Sequence, residues 1–228
     1  MSGSSVSGAS EVRLAVLVSG TGSILESMLA DGLPVAFVLA DRACRGLEVA
    51  AEAGVAAELV DRSAWGGFGA SFERESYTTA VTRALVTQEI DLIAMAGYGT
   101  VLAQPIHDAF PMRILNTHPA LLPAFPGWHA VADALKAGAT ETGCTVHYAV
   151  LEMDAGPIVA QQAVPVLPDD TEETLHERIK DVERRLYPEA IRTVMDEISR
   201  VWARRVGSRG VSSRGVGPPG VGSPGVSG

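Results

Sequence analysis

The sequence predicts an α/β fold: a doubly wound, mostly parallel sheet with helices on both faces and antiparallel strands at one edge. Short apolar runs alternate with helix-like segments through the first half of the chain. These runs are almost continuously apolar, which is typical of parallel strands that are covered on both faces. With 228 residues, 46% of them hydrophobic and 20% charged, the chain can form one such domain around a sizeable core.

In the first half of the chain, the predicted strands are residues 13–18, 35–40, 56–60 and 90–96. The predicted helices between them are residues 24–30, 45–53 and 72–88. Strands and helices that alternate at this spacing favour parallel strands joined by right-handed crossovers. A short strand over residues 113–115 follows.

The pattern changes after Pro126. Residues 128–137 look helical, and residues 142–151 and 157–166 are two strand-like runs that we expect to pair antiparallel at the far edge of the sheet. Residues 170–199 have the apolar spacing of an amphipathic helix. Thr171 resembles a helix start, and Pro188 is expected to kink or divide this helix.

Both ends of the chain have a different composition. Residues 1–11 are rich in Ser and Gly, and residues 204–228 are mostly Gly, Ser, Pro and Val. Such segments cannot bury enough apolar surface to offset the entropy lost on ordering. We therefore predict a folded domain over residues 12–203 between two disordered extensions.

Composition also excludes several function classes. A net charge of −9 disfavours a nucleic-acid surface, which needs a basic face. No apolar run approaches the ~20 residues of a membrane span, and the N-terminus has no secretory pattern. Cys44 and Cys144 lack a metal or redox spacing. We expect a cytoplasmic protein with small-molecule partners and no metal; the oligomeric state stays open.

Asn116 and His118 are the strongest candidates for chemistry. They follow a predicted strand, and ligands bind at the carboxyl ends of strands in open α/β sheets. Residues two apart on an extended chain point the same way. A carboxamide can stabilise an oxyanion and an imidazole can move a proton. The alternative is that both side chains satisfy backbone groups in a Pro-rich turn.

A glycine-containing loop, Ser-Gly-Thr-Gly-Ser over residues 19–23, joins the first predicted strand to the first helix. Glycine lets the backbone approach a ligand, and a helix N-terminus favours phosphate. The loop is not a dinucleotide fingerprint, because Leu25 stands at the third glycine, and it lacks the Gly-Lys-Ser/Thr of a Walker loop. It indicates a monophosphate site, with a tight turn as the alternative.

Other polar positions are ambiguous by themselves. Asp154 lies between two strand-like runs, where it either caps a turn or orients the His118 imidazole. Glu183 would be solvated unless its helix turns it toward the cleft. His129 and His147 are possible auxiliary groups.

Two further histidines, His107 and His176, have no motif context, so we predict that they lie on the surface.

Four segments together resemble the phosphoribosylglycinamide formyltransferases of the formyltransferase superfamily. They are VSGTGS from Val18, NTHPALLPAFPG from Asn116, GCTVHYAVLEMDAGPIVAQ from Gly143 and ERRLYP from Glu183. The resemblance covers about residues 13–192. It implies a formyltransferase-like fold and direct transfer of a formyl group from 10-formyltetrahydrofolate to the amine of 5-phosphoribosylglycinamide in purine biosynthesis. The transfer passes through a tetrahedral intermediate, without a metal.

The resemblance also assigns residues. The family's catalytic residues match Asn116, His118 and Asp154. Its acceptor-binding positions match Gly20, Thr21, Gly22, Ser23, Ile24 and Glu183. Its folate-binding positions match Gly97, Tyr98, Gly99, Thr100, Val101, Leu102, Asn116, Val150, Leu151 and Asp154.

The chain departs from the family pattern at several of these places. Ile24 replaces a common Asn, which removes one side-chain phosphate contact. Gly99-Thr100 replaces a usual Met-Arg and alters the folate wall. Thr117 replaces a usual aliphatic residue.

There are four alternative functions. A methionyl-tRNA formyltransferase would need a basic C-terminal domain, and a formyltetrahydrofolate deformylase would carry a regulatory domain before the first strand. The sequence gives no sign of either. A formyltransferase that acts on a sugar nucleotide stays open, as does a non-catalytic folate- or nucleotide-binding protein.

Overall fold

A seven-stranded sheet with the order β3-β2-β1-β4-β5-β6-β7 forms the centre of the molecule. The computed structural model of the protein describes residues 11–209. Strands β1 to β5 are parallel, whereas β6 and β7 are antiparallel to their neighbours. The strands are β1 Leu14–Val18, β2 Val35–Ala40, β3 Ala57–Leu59, β4 Leu92–Ala96, β5 Ile114–His118, β6 Glu141–Tyr148 and β7 Ile158–Pro165. The predicted fold class is confirmed.

Helices cover both faces of this sheet. They are α1 Ser23–Ala30, α2 Arg45–Glu52, α3 Arg74–Thr87, α4 Gln104–Ala109, α5 Ala130–Lys136 and α6 Glu172–Arg209, with a 3-10 helix at Arg62–Trp65. One hydrophobic core joins the sheet to α1, α2 and α6, and a second joins it to α3 and α4. β1 is fully buried and β4 is buried except for the partly exposed Met95, and both supply alternate side chains to these two cores, which explains their continuous apolar sequences.

Pro188 does not divide the last helix: α6 is continuous from Glu172 to Arg209. A proline cannot donate to the carbonyl four residues before it, here that of Arg184. The hydroxyl of Ser27, on α1, donates to this carbonyl at 2.7 Å instead. The carbonyl that Pro188 leaves without a helical donor therefore forms a hydrogen bond between α6 and α1.

The structure differs from the sequence predictions at a few elements. Helix α4 and the 3-10 helix were not predicted, because six and four residues are too short to show a helical period. Strand β5 extends through His118, three residues beyond the predicted strand, because β6 pairs with it up to that residue.

The predicted extensions fall mainly outside the described residues. Helix α6 continues to Arg209, past residue 203, where the domain was expected to end. Residues 1–10 and 210–228 are outside the described part, so the expectation of disorder there remains a prediction. Within the described residues, no helix combines the length and the apolar character that crossing a membrane requires.

Candidate active site

A cleft of about 470 Å³ lies across the carboxyl ends of β1, β4 and β5. Strands β1 and β4 are neighbours in the sheet, but their following helices, α1 and α4, pack on opposite faces. Such a reversal opens a crevice at the edge of a doubly wound sheet, which is where ligands bind. The cleft volume is in the range of small-molecule sites.

The β1–α1 loop forms one end of the cleft, to which Gly20, Thr21, Gly22, Ser23 and Ile24 all contribute. Gly22 is the residue before α1 and has a left-handed backbone, φ 75°. A Cβ atom at Gly22 would lie 2.9 Å from the Cα atom of Gly46, so only glycine fits between this loop and α2. The first intrahelical bond runs from the Glu26 amide to the Gly22 carbonyl, which leaves the preceding amides at the helix start free for an anion.

Ile24 lies in this loop but belongs to the hydrophobic core. Its side chain is 7% exposed and packs with the residues of β1, α1 and α2. Its contribution to an anion site is therefore its backbone amide, not a side-chain contact.

Asn116 and His118 lie on β5, and their side chains line the cleft together. The Nε2 atom of His118 is 2.7 Å from the carbonyl oxygen of Phe125. A carbonyl oxygen only accepts hydrogen bonds, so Nε2 carries a proton in this arrangement. The other ring nitrogen, Nδ1, lies 3.4 Å from Oδ2 of Asp154. The spacing of two residues along the strand therefore brings an amide and an oriented imidazole to one site.

Asp154 lies between two imidazoles. Its Oδ1 atom is 3.6 Å from Nε2 of His147, and its Oδ2 atom accepts a 2.8 Å hydrogen bond from the Gly127 amide. Asp154 has φ 56° and Phe125 has φ 52°, both in the left-handed region that costs a non-glycine residue about 1–3 kcal/mol. The two oxygen atoms that face His118 thus both come from strained residues, as is common at functional sites.

His147 is buried and orients the Asn116 amide. Its Nδ1 atom is 3.0 Å from the Tyr148 carbonyl oxygen, so Nδ1 carries a proton. Burial lowers the pKa of His147, and the neutral ring leaves Nε2 as an acceptor for the Asn116 amide, whose Nδ2 atom is 3.4 Å away. The amide keeps a second N–H for a ligand.

Glu183 faces the cleft from α6, which is the condition under which the sequence analysis assigned it a role. The Thr117 hydroxyl donates a 2.6 Å hydrogen bond to its Oε1 atom. Burial raises the pKa of the Glu183 carboxyl, and the hydrogen bond from Thr117 opposes this shift. The site therefore holds a carboxylate that has few water contacts and one fixed donor.

The opposite wall is made by the two segments that the family resemblance assigned to folate. Gly97, Tyr98, Gly99, Thr100, Val101, Leu102, Val150 and Leu151 all line the cleft. The Thr100 hydroxyl donates to Oδ2 of Asp41 at 2.7 Å and accepts a 2.6 Å hydrogen bond from the buried Arg62 guanidinium. The Gly99 amide donates to the Ser19 hydroxyl at 2.6 Å. Residues 99–100 are thus held from both sides.

The structure corrects three of the histidine predictions. His129 precedes α5, is exposed and does not line the cleft. His107 and His176, predicted on the surface, are half-buried and line the cleft, and burial lowers the pKa of each. Their elements, α4 and α6, approach the cleft from distant parts of the sequence, so no local motif could mark them.

Three further residues that no sequence motif indicated also line the cleft: Trp128, Met153 and Lys180. Trp128 and Met153 are exposed apolar side chains. The one sign of them in the sequence was a tryptophan directly after the motif that runs from Asn116 to Gly127. Among residues 11–209, no cluster of His, Cys, Asp or Glu could hold a metal ion.

A family model described as formyl transferase matches residues 12–191, which include every residue of the site described above. A phosphoribosylglycinamide formyltransferase from Mycobacterium tuberculosis is 49% identical over 187 residues, covering 78% of this chain and 83% of that protein. The trifunctional purine biosynthetic protein adenosine-3 of Gallus gallus is 39% identical over 191 residues, which cover 81% of this chain and 18% of that protein.

Solved structures give the same result. The crystal structure of glycinamide ribonucleotide transformylase 1 from Symbiobacterium toebii has a TM-score of 0.75 and 42% identity, covering 82% of this chain and 89% of that one. A phosphoribosylglycinamide formyltransferase from Brucella melitensis has a TM-score of 0.71 and 39% identity, covering 82% and 96% of the two chains.

Proposed function

Because the chain belongs to the formyl transferase family, we propose that it transfers a formyl group from 10-formyltetrahydrofolate to the amine of 5-phosphoribosylglycinamide. The observation that carries this proposal is the meeting of Asn116, His118 and Asp154 in one cleft. The cleft also offers the free amides at the start of α1 and the Glu183 carboxylate of α6. These are the groups that a phosphorylated amine acceptor needs.

The chemistry follows from the three central residues. When the acceptor amine attacks the formyl carbon, a C–N bond forms and the formyl oxygen becomes an oxyanion. The donors for this oxygen are the free N–H of Asn116 and, with His118 as imidazolium, its Nδ1–H, because Nε2–H already donates to the Phe125 carbonyl. Removing such a donor typically costs about 10²–10³-fold in turnover. The Asp154 carboxylate lies 3.4 Å from Nδ1 and orients the His118 ring.

Collapse of the intermediate breaks the bond between the formyl carbon and the folate nitrogen. The amine must lose a proton and the departing folate nitrogen must gain one. Asp154 and His118 are the titratable pair nearest to the reacting centre, and we assign this proton transfer to them. No covalent enzyme intermediate is required.

The acceptor is held at both of its ends in this proposal. Its phosphate binds the free amides at the start of α1, near Gly22 and Ser23. Its amine lies against Glu183, since a carboxylate and an amine form a charge-assisted hydrogen bond. The Lys180 ammonium, which also lines the cleft, adds positive charge on the acceptor side.

The folate occupies the wall made by residues 97–102 and 150–151. This wall is largely backbone and apolar side chain, which suits the planar rings of a pterin. The Thr100–Asp41–Arg62 contacts fix its position without placing a charge in the cleft.

Steady-state formyl transfer with the purified chain tests the proposal. 10-Formyltetrahydrofolate is the donor, and 5-phosphoribosylglycinamide, a sugar-nucleotide amine and water alone are compared as acceptors. We expect 5-phosphoribosylglycinamide to be the preferred acceptor by orders of magnitude in kcat/KM. Preference for the sugar-nucleotide amine, formate release without an acceptor, or folate binding without turnover would each replace the proposal with one of the alternatives.

A further inference from the structure

We propose that Thr117 is a positioning residue for the acceptor amine: it holds the Glu183 carboxylate at a fixed place relative to Asn116 and His118. This inference rests on the proposed function, because it assigns the amine to Glu183.

The contact itself is direct. Thr117 Oγ1 lies 2.6 Å from Glu183 Oε1, and both residues line the cleft. A threonine hydroxyl has a single hydrogen to donate, and here the carboxylate receives it. An aliphatic side chain of the same shape would fill the space but donate nothing.

Strand geometry explains why this residue is suited to the task. Side chains alternate along β5, so Thr117 points away from Asn116 and His118 and toward the face that α6 covers. Leu115, two residues earlier, has its carbonyl oxygen 2.9 Å from the Tyr187 hydroxyl. Tyr187 follows Glu183 by one helical turn.

Helix α6 is therefore hydrogen-bonded to β5 at two positions that lie two residues apart on the strand. Leu115 binds Tyr187, and Thr117 binds Glu183. The same strand carries Asn116 and His118 on its other face. One short strand thus sets the distance between the carboxylate that would receive the amine and the donors that would receive the oxyanion.

The charge of Glu183 also depends on this contact. Burial raises the pKa of the carboxyl, while the Thr117 hydrogen bond and the nearby Lys180 and Arg184 charges lower it. An ionised carboxylate is the form that accepts from an amine. Loss of the hydroxyl leaves burial less opposed, so both the charge and the position of Glu183 become less favourable for the acceptor.

The test compares Thr117→Val, which keeps the shape but removes the donor, with Thr117→Ser, which keeps the donor. For Thr117→Val we expect the KM for 5-phosphoribosylglycinamide to rise about tenfold or more. This is the change in affinity expected when a hydrogen bond to a charged group is lost. The folate KM should change by less than about twofold, because the folate wall is not touched. Thr117→Ser should recover most of the loss, because the hydroxyl is restored.

A second variant separates positioning from packing. In a Glu183→Gln background, Thr117→Val should raise the acceptor KM by much less than about tenfold, because the charged partner is already gone. Equal increases in both backgrounds, or equal effects on the acceptor and folate KM values, would overturn the inference. An unchanged acceptor KM in Thr117→Val would also overturn it.

Failure of the proposed function gives a different result. If the wild-type protein formylates another amine and not 5-phosphoribosylglycinamide, the proposed acceptor is wrong, and the same variants are measured with the amine that reacts. The role of Thr117 is supported if Thr117→Val raises the KM for that amine but not for the folate, and if Thr117→Ser restores it. Without this pattern, the role is rejected.

Discussion

The carbonyl oxygen of Phe125 lies 2.7 Å from Nε2 of His118 and fixes a proton on that nitrogen. Asp154 faces the other ring nitrogen, so the imidazole is held between two oxygen atoms in a form that donates hydrogen bonds. Both residues that supply these oxygens have a left-handed backbone. The strained backbone of these two loops and the orientation of the histidine are therefore parts of one arrangement.

The first prediction concerns this histidine. His118→Ala and Asn116→Ala should each lower kcat by about 10²–10³-fold or more, because each removes an oxyanion donor. The double variant should lose less than the product of the two effects, since the residues act together. His129→Ala is the matched control: this exposed histidine does not line the cleft, and its loss should leave kcat within about twofold. Circular dichroism checks that each variant is folded.

The second prediction uses two glycines of one loop. Gly22→Ala should raise the acceptor KM and lower the melting temperature, because the new Cβ atom meets Gly46 and the backbone is left-handed. Gly20→Ala has no neighbour within 4 Å of its new Cβ atom and should melt like the wild type. Thermal unfolding and acceptor titration separate the two. Equal stability of both variants would contradict the close approach of this loop to α2.

The third prediction follows from the pKa of Glu183, which burial raises. A carboxyl with a raised folded-state pKa favours the folded state below its unfolded pKa and loses that contribution as pH rises through the folded value. Glu183→Gln has no such loss. At about pH 8 the melting temperature of the variant should therefore exceed that of the wild type. This difference in melting temperature should shrink as pH falls toward 4.5, the ordinary pKa of a glutamate carboxyl.

The same Glu183→Gln protein should bind the acceptor more weakly, because it has lost the charged partner of the amine. Melting curves from about pH 4 to 8 and the acceptor KM measure the two effects. A variant that is less stable than the wild type at the alkaline end of this range would contradict the burial of an ionised carboxylate.

The fourth prediction concerns Pro188 in α6. Ser27→Ala should destabilise the protein by about 1–3 kcal/mol, because it leaves the Arg184 carbonyl without its donor. In a Pro188→Ala background the same change should cost much less, since the alanine amide can bond that carbonyl within the helix. The coupling free energy between Ser27 and Pro188 is obtained from urea unfolding of the wild type, both single variants and the double variant. Additive effects would show that Ser27 does not compensate for the proline.

Local signals explain what the sequence predicted well. The apolar runs of β1, β2 and β4 are long enough to mark buried parallel strands. In the sheet, β4 lies between β1 and β5, so the loop before α1 and the end of β5 open at the same edge. The spacing of Asn116 and His118 predicts a shared direction because a strand has a period of two. These residues do line one cleft.

What the sequence missed depends on contacts between distant elements. His107 and His176 reach the cleft only because α4 and α6 pack at the edge of the sheet. The partner of Thr117 is 66 residues away in the chain. Pro188 looked like a helix breaker because its compensating donor lies on another helix. None of these relationships has a sequence period that could reveal it.

The most direct test of the central claim is to follow the formyl carbon itself. The purified protein is mixed with 5-phosphoribosylglycinamide and 10-formyltetrahydrofolate that carries ¹³C in its formyl group, and the products are resolved by NMR. We predict that the label appears on the glycine nitrogen of the acceptor, and that His118→Ala slows this transfer by about 10²–10³-fold or more. Label recovered as formate, or remaining on the folate, would contradict the account.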